Sequence, residues 1–215
     1  MKISESEFFD VTFTKPYSGK VCYSYRKDSG EQVTLCARKL YDFFNVNPNE
    51  HFAKQCDQLT KGLPLHPGEI GWSMEKDIRK YEDITWVGLF WKTGPKVNIV
   101  RDEVKAAIEK AGLTGARFFP IWVREVQKSK KPDYWGLVTS NALDFRHTAQ
   151  GGIEYQKDKF TIAIGVKDRL CDLSCLMLNP DGIKGNFVLP RIISKKAHEV
   201  FSQFRGVTFR RAEFV

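Results

Sequence analysis

Long hydrophobic runs are missing from this 215-residue sequence: none approaches the ~18 consecutive apolar residues of a membrane-spanning helix. Each element is therefore expected to satisfy its polar groups in water. Histidine is scarce, and His51, His66, His147 and His198 stand in no HxxxH, HExxH or HxE spacing. The signatures of common catalysts are absent too, with no GxSxG elbow, P-loop or GxGxxG turn, and Gly68 with Gly71 is too sparse to cradle a phosphate. The opening residues Met1 to Asp10 carry Glu5, Glu7 and Asp10 where a secretory signal carries positive charge and then an apolar run. Cysteine is limited to five scattered residues, an odd number that would leave a thiol over in an oxidising compartment. Reduced thiols and a cytoplasmic location are the expectation.

What is present suffices for a folded core. Apolar residues make up 42% of the chain, enough to bury a core without disulfides or metals. The length suits one domain over 1–215, divisible into lobes at 1–92 and 93–215. The net charge of +8 and pI near 9.2 call for an acidic partner or a general affinity for nucleic acid. Basic residues gather at Arg124, Lys128, Lys130 and Lys131, and again at Arg205, Arg210 and Arg211. They form no long stripe and accompany no nucleic-acid motif, so a solvated surface is the simpler reading.

The local patterns point to an α+β fold with mixed or antiparallel sheets and a few short helices. Phe8–Thr14 and Val21–Tyr25 alternate apolar and polar around the turn chemistry of Pro16 to Gly19, as a hairpin would. Gln32–Phe44 leaves helix and strand both open. Phe52, Cys56 and Leu59 have helical spacing, and the stretch from Leu63 to Trp72, rich in Pro and Gly, reads as a loop. Strands are expected at 86–91, 97–100, 118–123, 134–138 and 160–166, with Pro120 marking an edge or bulge and Gly151-Gly152 a loop. Asp102 fits a helix N-cap ahead of Val104, Ala107, Ile108 and Ala111, which share one face before Gly112. Ser194 caps a second helix with Ala197, Val200, Phe201 and Phe204 on its face, and Gly206 leads into Val207-Thr208-Phe209.

These two helix–Gly–strand units align position by position, the second being two residues shorter in its connector. The capped helix beginning Ile193-Ser194 and ending in Gly206-Val207-Thr208-Phe209 resembles the end of bacterial immunity proteins from polymorphic toxin systems, the double-CxxCG family and its relatives. Leu65 to Gly71 and Val104 to Phe118 match further parts of that pattern. The resemblance implies an antidote that binds a cognate toxin and performs no catalysis. The family's paired CxxCG motifs are not kept: Cys171 and Cys175 form a CxxxC without the glycine, and Cys22 has no partner at that spacing. No metal and no cofactor are therefore expected.

Other candidate chemistry is thin. Cys56 lies five residues after His51, an offset of about 140° on a helix, and the carboxylates Glu69 with Asp77, or Asp144 near His147, are generic pairings. The aromatics are the better lead, since Trp, Tyr and Arg dominate interface hot spots. Trp72 in its loop, and Tyr134 and Trp135 beside the lysines at 128, 130 and 131, are the expected partner-binding residues. The partner would be a toxin with an acidic patch. The alternative is a nucleic-acid or anion module using Lys128, Lys130, Lys131, Arg210 and Arg211.

Overall fold

A computed structural model describes residues 8–14, 16–17, 19, 21–36, 71–74, 82–88, 96–123, 132–139, 141–144, 153–156, 159–162, 169–177 and 190–214. Among these the fold is α+β, with two helices and mostly strands in mixed and antiparallel sheets. In chain order the elements are β1 (Phe8–Phe13), β2 (Val21–Arg26), β3 (Gln32–Cys36), β4 (Gly71–Met74), β5 (Ile84–Gly88) and β6 (Lys96–Val100). Then come α1 (Asp102–Lys110), β7 (Ala116–Val123), β8 (Tyr134–Thr139), β9 (Ala142–Asp144), β10 (Ile153–Gln156), β11 (Lys159–Ile162) and β12 (Leu173–Met177). The series ends with β13 (Ile192–Ser194), α2 (Lys195–Phe201), β14 (Val207–Arg211) and β15 (Glu213–Phe214).

Three sheets are formed, with strand orders β3-β2-β4-β7-β8-β6-β5, β14-β1-β13-β12-β9 and β10-β11-β15. Since β15 follows β14 almost directly, the last two sheets continue one another, and the molecule reads as two equivalent lobes. The first lobe runs β2-β4-β7-β8-β6-β5 and the second β10-β11-β15/β14-β1-β13-β12. Registers agree throughout. Ile84 faces Val100 as Leu173 faces Ile193, and Val100 faces Trp135 as Ile193 faces Phe9. Leu137 faces Phe118 as Val11 faces Phe209. Trp122 faces Ser73 in parallel as Glu213 faces Thr161, and Ser73 faces Cys22 as Thr161 faces Glu154. In this comparison β1, from the start of the chain, stands where β8 stands.

The expected boundary at 92/93 falls between β5 and β6, which pair with each other, so the seven-stranded sheet draws on both sides of it. The lobes are also tied reciprocally. After β8 the chain crosses to the second lobe, where Ala142 of β9 pairs in parallel with Cys175. After β1 it crosses to the first, where Pro16 bridges Trp86 in parallel. The hairpin expected from Phe8–Thr14 and Val21–Tyr25 does not form, because β1 and β2 lie in different sheets. Between β13 and β14 the alternating Phe9, Val11 and Phe13 gain ladders on both edges where a hairpin offers one.

Among the described residues, both lobes contribute to a shared apolar cluster. Val104 and Ile108 of α1 and Ala197, Val200 and Phe201 of α2 pack with Ile84, Val100, Leu137, Val11 and Leu173 from the sheets. Burying a side chain such as Phe201 completely contributes roughly 1.5–3 kcal/mol. The first lobe is packed on its far face as well, where Ile99, Phe119, Ile121, Tyr134 and Val138 are buried. That two-sided burial explains the nearly continuous apolar run of β7. Pro120 consequently lies in an interior strand rather than at an edge: it faces Trp135, and pairing with β4 begins only at the next residue, Ile121, so its missing N–H costs no ladder bond there.

The helix ends differ from one another. Ser194 caps α2 as expected, its Oγ accepting from the Ala197 N–H at 3.2 Å. For α1 the capping position falls on Arg101, with no side-chain cap, and Asp102 is the first helical residue, where its charge still favours the helix N-terminus.

Candidate functional site

The glycines that close the two units carry the contact between lobes. Gly115 (φ 85°) and Gly206 (φ 100°) both adopt a left-handed backbone, and a Cβ on either would strike a carbonyl oxygen of the opposite lobe, that of Leu173 or Ile84 respectively. Just before each glycine a backbone N–H reaches an aspartate across the junction. Thr114 N–H donates to Asp172 Oδ2 at 2.8 Å, and Arg205 N–H donates to Asp83 Oδ2 at 2.9 Å. The return bonds match, from Leu173 N–H to the Thr114 carbonyl at 3.0 Å and from Ile84 N–H to the Arg205 carbonyl at 3.2 Å. Each aspartate also holds its own lobe's helix start: Asp172 Oδ1 accepts from Ser194 Oγ at 2.6 Å, and Asp83 Oδ1 lies 3.1 Å from the Arg101 guanidinium.

Both carboxyls titrate below the ordinary carboxylate range. For Asp83 burial pushes the pKa up, and this is outweighed by the side-chain and backbone hydrogen bonds from Arg205 and the charges of Arg101 and Arg205. For Asp172 burial again pushes up, and the bonds from the Ser194 hydroxyl and the Thr114 N–H and hydroxyl, with the Lys196 charge, prevail.

Beside each helix sits an aromatic clamp built at equivalent positions. In the first lobe Lys105 Nζ lies 4.4 Å from the Trp135 ring centroid and 5.6 Å from that of Phe118. Trp135 Nε1 donates to Asp102 Oδ1 at 2.9 Å, and Lys105 pairs with Glu109 at 2.7 Å. In the second lobe His198 takes the place of Lys105. Its ring stacks on Phe9 at 4.1 Å and 15°, and meets Phe209 edge-on at 4.5 Å. His198 is half-buried between two rings, because the aromatics that enclose it come from β1 and β14.

Of the expected partner-binding residues, Tyr134 and Trp135 have described side chains, and of these two Trp135 reaches the surface. Trp135 is half-buried, with its ring held by Asp102 and Lys105. Tyr134 is fully buried, since neighbours along a strand face opposite sides and its side is the packed far face. Trp72 stands in β4, opposite Tyr23 and Ile121, rather than in a loop. Lys128, Lys130 and Lys131 lie outside the described residues, as do Cys56, His51 and the helix expected around them.

Sequence reasoning missed the cluster around Asp10. This carboxylate, 2% exposed, receives Arg191 NH2 at 2.9 Å on Oδ1 and Arg210 NH2 at 2.7 Å on Oδ2. Its equivalent in the first lobe is Gly136, over which the Phe119 ring lies. Alternation along β1 signals a polar face at Asp10, but its two cationic partners are 181 and 200 positions away. Arg210 is therefore committed to the buried Asp10, and Arg205, though exposed, pairs with Asp83, which weakens the basic nucleic-acid surface.

Cys22 is disulfide-bonded, against the expectation of reduced thiols, and its position in the β2–β3 register is opposite residue Cys36. Cys171 and Cys175 are thiols, the latter buried. Among the described residues no group of three or more His, Cys, Asp or Glu is placed to hold a metal, and no helix is long and apolar enough to cross a membrane. No protein-family model matches the chain, and no curated protein matches it.

Proposed function

We propose that this chain is an immunity-type binding protein that neutralises a cognate bacterial toxin by steric blockade, without catalysis and without a cofactor. The reading rests on the resemblance carried by the capped terminal helix and Gly206-Val207-Thr208-Phe209. One observation carries it to a surface: Trp135 is partly open to solvent and fixed in place by Asp102 and Lys105. A large aromatic that loses little side-chain freedom on binding is the usual kind of interface anchor. The net charge of +8 would steer the chain toward an acidic patch on the toxin.

Co-expression with the protein encoded immediately upstream tests the reading. A stable complex and rescue of growth are expected, and Trp135→Ala should weaken the complex by roughly 30-fold or more. The absence of both a stable complex and rescue would overturn it. The compartment proposed is the cytoplasm, whereas the disulfide at Cys22 argues for an oxidising one. Alkylation of Cys22 in intact cells decides between them: a reduced thiol supports the cytoplasm, and an oxidised one moves the antidote outside it.

A further inference from the structure

The first lobe makes its strands in the order β2, β4, β5, β6, α1, β7, β8, and the second repeats the order as β10, β11, β12, β13, α2, β14/β15. Among the described residues the second series has no counterpart of β8 after β14/β15, and β1 fills that place between β13 and β14. Strand β8 is tethered to its neighbour β7 through residues 124–133. Strand β1 has no such tether, because the chain leads from it into the first lobe.

The chemistry under the two strands differs accordingly. Gly136 lets the Phe119 ring lie across β8, an apolar contact that specifies register weakly. Asp10 puts a buried charge at the same position, met by Arg191 and Arg210 from the two flanking segments. A slip of one residue would turn Asp10 to the helix face and Val11 away from the shared core, breaking both ion pairs at once. Buried ionic groups are best attested in this role of fixing a register.

We infer that β1 is a strap, a strand that docks into and leaves the slot between β13 and β14 as a unit, with Asp10 as the key that fixes its register. When the strap is open, the second lobe lacks its central strand and the Phe9, Val11 and Phe13 face is uncovered, while the first lobe stays closed.

Hydrogen exchange on the full chain reads this directly. Amides of 8–14 should exchange about tenfold or more ahead of those of 134–139, as expected of a sub-global opening. Equal rates would overturn the strap. Asp10→Asn should accelerate 8–14 and 207–214 by about tenfold or more with 134–139 unchanged, and a uniform acceleration would overturn the role of Asp10. A permuted chain, with residues 1–19 moved behind Val215 on a short Gly/Ser linker, gives β1 the tether that β8 has. It should fold and bring the exchange of β1 level with that of β8. Failure to fold, or a β1 that still exchanges first, would overturn the inference.

Discussion

The two lobes share strand order, register and helix placement, yet at one equivalent position the first has Gly136 under an aromatic ring and the second has Asp10 between two arginines. The same backbone thus accepts an apolar or an ionic solution. What separates the lobes is connectivity: one receives its central strand from the adjoining chain, the other from the far end of the sequence. Shared packing and junction geometry should make most equivalent substitutions cost alike, and the exceptions should follow the connectivity.

The largest expected effect is in the common core. Phe201→Ala should destabilise by about 3–5 kcal/mol and Ile108→Ala, at the equivalent helix position, by about 2–5 kcal/mol, both read by denaturant unfolding. A single cooperative transition for both would bind the lobes into one unit, and two transitions would break that reading. Next come the junction glycines. Gly115→Ala and Gly206→Ala each combine left-handed backbone with a collision against the opposite lobe's carbonyl, and should each cost about 2–4 kcal/mol. If they differ by more than about 1 kcal/mol, the two junctions are not mechanically alike.

A smaller effect belongs to the aspartates that grip the connectors. Asp83→Asn and Asp172→Asn should cost about 1–3 kcal/mol each near neutral pH. Both folded carboxyls titrate below their unfolded values, so their stabilisation is complete above the ordinary carboxylate range near pH ~4 and is lost as pH falls below it through the folded values. The double variant should therefore show a flatter decline in melting temperature on acidification than the unmodified chain. The smallest effect is at the clamps: Lys105→Ala should cost about 0.5–1 kcal/mol and His198→Ala about 0.5–1.5 kcal/mol. That pair sharpens the comparison, since a cation over rings and a stacked ring are alternative fillings of the same gap.

The sequence discloses what is local. Both helix–Gly–strand units, the Ser194 cap and the coincidence of Val104, Ala107, Ile108 and Ala111 with Ala197, Val200, Phe201 and Phe204 depend on contacts a few residues apart, which periodicity and capping chemistry record. Long-range pairing leaves no such record. Phe9-Asp10-Val11 and Trp135-Gly136-Leu137 do the same work with different residues, so nothing in either segment announces their equivalence. The aromatic lead divided for a similar reason. Trp135 and Tyr134 are neighbours in sequence, and the pleat sends one to the rim and the other into the packed far face.

The pairing of β1 with β13 and β14 also has a consequence in time. During synthesis at roughly 5–20 residues per second, a strand whose partners lie about 200 positions downstream waits on the order of 10–40 s before they emerge from the ribosome. Through that interval Phe9, Val11 and Phe13 form a bare apolar strand, an invitation to chaperones and to other nascent chains alike. The first lobe can assemble meanwhile from strands made close together, and β1, made long before its partners, is among the last strands to find its place.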